Sequence, residues 1–125
     1  MKTPLRVLVV DDEPLMCWSI AETLGACGDT VTEAHTGVGA LRALAEASGL
    51  VDVVVLDYDL PDGDNFSLLS ALRRLSPVSR VILMSAYATP EIVKEALHLG
   101  ADRVIGKPID MRDVLTLVHQ VAGPH

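Results

Sequence analysis

The sequence predicts an α/β protein of the doubly wound kind. In that reading a five-stranded parallel sheet in the order 2-1-3-4-5 carries helices on both faces, as a (βα)5 chain forming one domain over residues 1–125. Three observations carry the prediction. The length of 125 residues suits a single self-supporting core. Half of the residues are apolar but only 3% are aromatic, so the core is built from Val, Leu, Ile and Ala. That is the composition of buried parallel strands beneath helices, which read as continuous β-branched runs. Finally, short apolar runs alternate with segments of helical spacing, without repeats or an internal linker.

The elements follow in order. Leu5–Val10 is the first apolar run, and Pro14 then opens a helix with Met16, Ile20, Leu24 and Cys27 as its stripe. Thr30–Ala34 is the second run; Thr36 caps a helix carrying Leu41 and Leu44. The third run, Val51–Leu56, precedes a helix from about Asp64 to Leu75 with Leu68, Leu72 and Leu75 inward. After Arg80–Met84, Thr89 and Pro90 open a fourth helix that Gly100 ends. Arg103–Ile105 is the last run, and Asp110 caps a fifth helix with Val114, Leu117, Val118 and Val121 at i, i+3, i+4 and i+7. Short links between parallel strands require right-handed helical crossovers. A sheet of this order places its site outside the carboxyl ends of strands one and three.

Composition excludes several classes. A net charge of −7 and a pI near 4.8 leave no basic stripe for direct nucleic-acid binding. No apolar run approaches the roughly 18 residues of a membrane span. The N-terminus lacks the charged flank, apolar stretch and cleavage site of a signal peptide. Cys17 and Cys27, about 15 Å apart on a straight helix, are too distant for a disulfide within it. They read as reduced thiols, and a cytoplasmic location is expected. His35, His98, His119 and His125 are scattered, with no ligand spacing among them. Gly37-Val38-Gly39 lacks the third glycine of a nucleotide loop.

The predicted switch point is not empty of chemistry. Asp11, Asp12 and Glu13 follow the first strand and Asp57 follows the apolar part of the third; Ser85 closes the fourth, and Lys107 follows the fifth. Taken singly, each has a plain explanation: a helix N-cap for Asp11 and Asp12, a strand end for Asp57, a turn hydroxyl for Ser85, a surface lysine for Lys107. None of these explains why all fall at one rim. Carboxylates crowded there repel unless a cation sits among them, and magnesium accepts one or two carboxylates with backbone oxygen and water. A carboxylate–magnesium centre beside a lysine and a hydroxyl is arranged for phosphoryl transfer to a carboxylate.

The segments VLVVDDEP, VVVLDYDLPDGD, VILMSAY and GADRVIGKP resemble, in order and spacing, the response-regulator receiver family of two-component signalling. The resemblance spans essentially the whole chain. It implies that Asp57 is the phosphoacceptor and that Asp11, Asp12 and Asp57 hold Mg2+, with the main-chain carbonyl of Asp59 completing the protein ligands. Ser85 is then the switch hydroxyl and Lys107 the ion-pair partner of the phosphoryl group, with a cis Lys107–Pro108 peptide. The implied partners are a sensor histidine kinase or a histidine phosphotransfer protein, and an effector domain or protein downstream. A phosphorylation-dependent homodimer stays open, as does whether the unit stands alone or belongs to a longer regulator. No turnover substrate is implied, so the chain reads as a switch rather than an enzyme. The competing reading is a haloacid-dehalogenase-type phosphatase, with Asp57 and Asp59 as its D-x-D pair. A third is a receiver-like binding module without phosphate, against which the complete acid set speaks.

Several positions carry further expectations. Asp59 and Tyr87, two residues beyond Asp57 and Ser85, stand where the family tunes the lifetime of its phosphoryl group. Asp62 and Asp64 read as a solvated turn around Pro61 and Gly63. Asn65 stands where many receivers carry glycine and tolerates a left-handed conformation. Trp18 is expected half-buried against the fifth helix, with docking of the phosphodonor as the alternative. The family's switch ring is replaced by Val104, so the signal is expected to leave through the β4–α4 loop with Tyr87 moving instead.

Overall fold

Strand and helix alternate through the chain, as the apolar spacing requires. The structure is a computed structural model describing residues 4–61 and 64–123. The elements are β1 (Arg6–Val10), α1 (Pro14–Gly25), β2 (Thr30–Ala34), α2 (Gly37–Ala47), β3 (Val53–Asp57), α3 (Asn65–Leu75), β4 (Arg80–Ser85), α4 (Pro90–His98), β5 (Arg103–Gly106) and α5 (Met111–Ala122). All strand pairs are parallel, in the order β2-β1-β3-β4-β5. The doubly wound expectation holds.

The three central strands are apolar between their polar ends, yet their side chains still alternate between faces. Leu8, Val10, Val54, Leu56, Val81 and Leu83 enter one core with Ala40, Leu44, Leu69, Leu72 and Ala96 of α2, α3 and α4. Val7, Val9, Val53, Val55, Ile82 and Met84 enter the other with Cys17, Ile20 and Leu24 of α1 and Val114 and Val118 of α5. Each buried Leu, Ile or Val contributes about 1.5–3 kcal/mol relative to exposure. Both faces are covered, as a parallel sheet requires.

The expected caps form: Thr36 accepts from Gly39 N–H at 2.9 Å, Thr89 from Ile92 N–H at 3.3 Å and Asp110 from Arg112 N–H at 2.8 Å. Asp64, read from the sequence as a turn residue, caps α3 as well, accepting from Phe66 N–H at 3.0 Å. Gly100 turns the chain out of α4 at φ 110°, where a Cβ would also lie 3.0 Å from the Arg73 side chain. Only glycine fits that turn without strain.

Four expectations need correction. On α1 the buried line is Cys17, Ile20 and Leu24, with Met16 only partly buried; Cys27 lies beyond the helix and is exposed. Trp18 is 57% exposed rather than half-buried, because one residue beyond Cys17 is a turn of about 100° away from the sheet. On α3 the buried pair is Leu69 and Leu72, while Leu68 is partly buried and Leu75, the last helical residue, is exposed. Asn65 is not left-handed: it is the first residue of α3, and its amide donates to the Leu60 carbonyl at 3.3 Å. Asp64 is the α3 cap, and Asp62 lies outside the described residues.

Candidate functional site

The sheet delivers four of the singled-out side chains to one rim. Asp11 follows β1, and its N–H extends the ladder to the Ala34 carbonyl at 3.1 Å. Asp57 is the last residue of β3, opposite Met84. Ser85 ends β4 opposite Gly106, and Lys107 comes next, its N–H donating to the Ser85 carbonyl at 2.8 Å. The Lys107–Pro108 peptide is cis, as expected.

The plain explanations fail on geometry. The N-cap position of α1 falls on Glu13, which makes no side-chain cap bond, so Asp11 and Asp12 are not its cap. Asp57 is not a solvated strand end, being only 1% exposed. Its Oδ1 accepts from Lys107 Nζ at 2.9 Å and from Asp59 N–H at 2.8 Å. Asp11 Oδ1 accepts from Glu13 N–H at 2.8 Å. Yet Asp11 Oδ2 and Asp57 Oδ2, both buried, have no hydrogen-bond partner among the described residues. Burying a carboxylate oxygen unpaired costs free energy that a protein retains only where something else uses it.

Asp11, Asp12 and Asp57 each offer one carboxylate oxygen, and these lie within 4.8 Å of one another. The orphaned Asp11 Oδ2, beside the Asp57 carboxylate and the exposed Asp12 carboxylate, fits a hard divalent cation that keeps part of its water. The electrostatics agree. Burial pushes the Asp11 carboxyl up to about 6, the Asp57 and Glu13 charges adding to it and the Glu13 N–H and Lys107 opposing it. Burial also works against the Lys107 ammonium, but the hydrogen bond to Asp57 and the charges of Asp57, Asp11 and Asp59 outweigh it and hold the ammonium above its ordinary value.

A second group of contacts surrounds Asp59. Its carboxylate stands apart from the acid cluster and is turned toward β4 and β5. Ser85 Oγ donates to Asp59 Oδ1 at 3.1 Å, Ala86 N–H to Oδ2 at 2.9 Å, and Lys107 Nζ lies 3.6 Å from Oδ2. Ser85 Oγ in turn accepts from Tyr87 N–H at 3.0 Å. The Tyr87 residue is 69% exposed. Val104 pairs with Leu83 in the sheet and packs on the α2–α3–α4 core.

Sequence reasoning missed two features. It considered Asp59 for its carbonyl and for phosphoryl lifetime, not as the acceptor for Ser85 and Ala86; the signal was an acid two residues past a strand end whose neighbour strand ends in serine. It also missed that the Asp11 carbonyl is approached by Cys17 Sγ at 3.3 Å and His35 Nδ1 at 3.2 Å. Nothing in the spacing of Cys17 and His35 marks that convergence.

The fold and this rim define a class: a doubly wound domain whose central aspartate is paired with a lysine beside an acid cluster suited to a divalent cation. The pattern of the response regulator receiver domain matches residues 7–119, and the chain belongs to that family. It is 34% identical over 122 residues to the chemotaxis protein CheY of Treponema pallidum, covering 94% of this chain and 83% of that one. It is 40% identical over 109 residues to the transcriptional regulatory protein KdpE of Mycobacterium tuberculosis, covering 87% of this chain but only 47% of KdpE. Among solved structures, a receiver domain protein of Methanospirillum hungatei superimposes with a TM-score of 0.87 at 28% identity, over 96% of this chain and 94% of that one. CheY in the CheX–CheY–BeF3–Mg complex of Borrelia burgdorferi gives a TM-score of 0.88 at 30% identity, over 94% and 89% of the two chains.

The protein is therefore a phosphoacceptor receiver domain of two-component signalling. The phosphatase reading is not favoured: the Asp59 carboxylate, which would serve as its acid, is committed to Ser85 and Ala86. Among the described residues, no helix is long and apolar enough to cross a membrane.

Proposed function

We propose that Asp57 takes a phosphoryl group from the phosphohistidine of a sensor histidine kinase or a histidine phosphotransfer protein. The observation that carries this reading is the Lys107–Asp57 contact at 2.9 Å beside an Asp57 Oδ2 with no partner. One oxygen is held and the other has no hydrogen-bond partner among the described residues, free to form a bond. That oxygen attacks phosphorus as the phosphorus–nitrogen bond breaks, and the electron pair leaves with the imidazole. Lys107 neutralises the phosphoryl oxygens and Ser85 offers them its hydroxyl proton. Asp11, Asp12 and Asp57, with the Asp59 main-chain carbonyl, would hold Mg2+, which when bound supplies a positive charge against the phosphoryl oxygens.

Residues 1–125 form one receiver unit acting in the cytoplasm as a switch, without a turnover substrate and without direct contact to nucleic acid or membrane. Its phosphorylation changes affinity for an effector domain or protein, or for a second copy of the chain. The output leaves through the β4–α4 loop. Val104 has no ring to turn inward, whereas Tyr87 is exposed and its N–H is tied to Ser85.

Intact-mass measurement after acetyl phosphate tests the reading. The chain should gain one phosphoryl group with magnesium and none with chelator or in Asp57→Asn. No gain in the wild-type chain with magnesium would sink it. For the output route, beryllofluoride should move amide signals of residues 86–89 and α4; spectra identical to those of the magnesium form there would refute it.

A further inference from the structure

Resting on Asp57 as the phosphoacceptor, we propose that the Asp59 carboxylate is a built-in stand-in for the phosphoryl group. It occupies Ser85, Ala86 and Lys107 in the resting chain and must be displaced before a phosphoryl group can use them. This concerns uptake and the resting state, not the lifetime of the phosphorylated form.

Donor accounting drives the inference. Ser85 has one hydroxyl proton, and it is given to Asp59 Oδ1 at 3.1 Å. The Ala86 N–H is given to Oδ2 at 2.9 Å. Lys107 Nζ bonds Asp57 at 2.9 Å and stands 3.6 Å from Asp59 Oδ2. A phosphoryl group on Asp57 would bring three strong acceptor oxygens and between one and two negative charges to the same place, about −1.5 to −2 near neutral pH. One hydroxyl proton cannot serve both anions, and two anions around one lysine repel. The Asp59 side chain is 23% exposed, so it has a route outward into water.

The same contacts hold the loop after β4 in place. With its proton on Asp59, Ser85 Oγ accepts from Tyr87 N–H at 3.0 Å, so one carboxylate orders Ser85, Ala86 and Tyr87 together. The resting chain therefore already has its switch hydroxyl drawn toward an anion. Phosphorylation exchanges one anion for another, and the barrier to that exchange lies in releasing Asp59.

The test compares the wild-type chain with Asp59→Ala and Asp59→Asn, in magnesium at constant pH; both variants keep the main-chain carbonyl. Beryllofluoride is the probe. Asp59→Ala should bind it about tenfold more tightly, the scale of a charge-assisted hydrogen-bond set released. Asp59→Asn should gain less, since its amide still accepts from Ser85 but carries no acceptor for Ala86 at the second position. In the resting protein, hydrogen exchange at the Ala86 amide should be about tenfold faster in Asp59→Ala, where nothing replaces its acceptor. In a Ser85→Ala background the gain should shrink. An undiminished gain there would mean that charge alone acts at a distance, and the stand-in would be refuted. Equal binding by wild type and both variants, or unchanged Ala86 exchange, would also overturn it. Absence of beryllofluoride binding in every protein would instead overturn the phosphoacceptor reading itself.

Discussion

Buried aspartates at the two ends of the sheet answer the same problem differently. Asp29, before β2, is 7% exposed, and both of its oxygens are used: Oδ1 accepts from Leu5 N–H at 3.0 Å and Oδ2 lies 2.7 Å from His119 Nε2. Asp11 and Asp57, at the other end, are buried as deeply, yet each leaves one oxygen without a partner. Asp29 joins the α1–β2 turn to α5 and is complete as it stands. The other pair has an oxygen each to spare for the ion and the incoming group proposed above. Burial of an acid does not by itself mark a working site; burial with an unfilled valence for hydrogen bonding does.

The largest effect should come from breaking the satisfied end. Asp29→Ala leaves the Leu5 N–H and His119 facing a cavity, and should cost about 3 kcal/mol in chemical denaturation. Phosphoryl uptake from acetyl phosphate by the folded fraction should be unchanged. A loss of uptake there would erase the distinction between the two ends.

At the unfilled end the sign reverses. The Asp11 carboxyl stands near 6, above its unfolded value of 3.8, chiefly through burial. A raised carboxylate favours the fold while protonated, so that contribution is full below about 4 and is lost as pH rises through about 6. Without metal, stability should fall across that window by an amount on the order of 3 kcal/mol. Asp11→Asn should flatten that profile. Urea titrations between pH 4 and 7 in chelator check it; a wild-type profile as flat as that of the variant would refute the account.

Magnesium should restore what ionisation removes. At a hundred times its dissociation constant it should raise stability at pH 7 by about 2.7 kcal/mol, and by much less in Asp11→Asn. Thermal melts with and without the ion measure this, and equal responses would detach Asp11 from the ion. The smallest effect is expected from Arg80→Ala. Arg80 pairs with Asp102 at 3.6 Å, but its side chain is 55% exposed, so its loss should cost no more than about 0.5 kcal/mol. A cost comparable to that of Asp29→Ala would mean that pairing matters more than burial.

Much of this was legible in the chain itself. Thr36, Thr89 and Asp110 sit just before apolar helical stripes and cap them, because a short side-chain oxygen there reaches backbone donors within its own turn. Asp11, Asp57, Ser85 and Lys107 could be brought together on paper, because a doubly wound sheet sends the ends of its strands to one rim. Helix α1 resisted the same reading. Leu15, Met16, Cys17 and Trp18 are all apolar and fall on different sides, so the stripe through Ile20 and Leu24 can be continued by Met16 as well as by Cys17. Packing against β2 and α5 chose Cys17 and left Leu15 and Trp18 exposed.

The sequence by itself determined the strand and helix order, the caps and the rim that gathers the acids, since these follow from local spacing and from the fixed hand of parallel crossovers. Only the tertiary structure decided which oxygens found partners. That Asp29 is saturated, that Asp11 and Asp57 are not, and that Asp59 turns to Ser85 and Ala86 depends on donors arriving from up to ninety positions away in the chain. Hydrogen bonds act over about 3 Å, and no local pattern encodes a distance between residues that folding alone brings together.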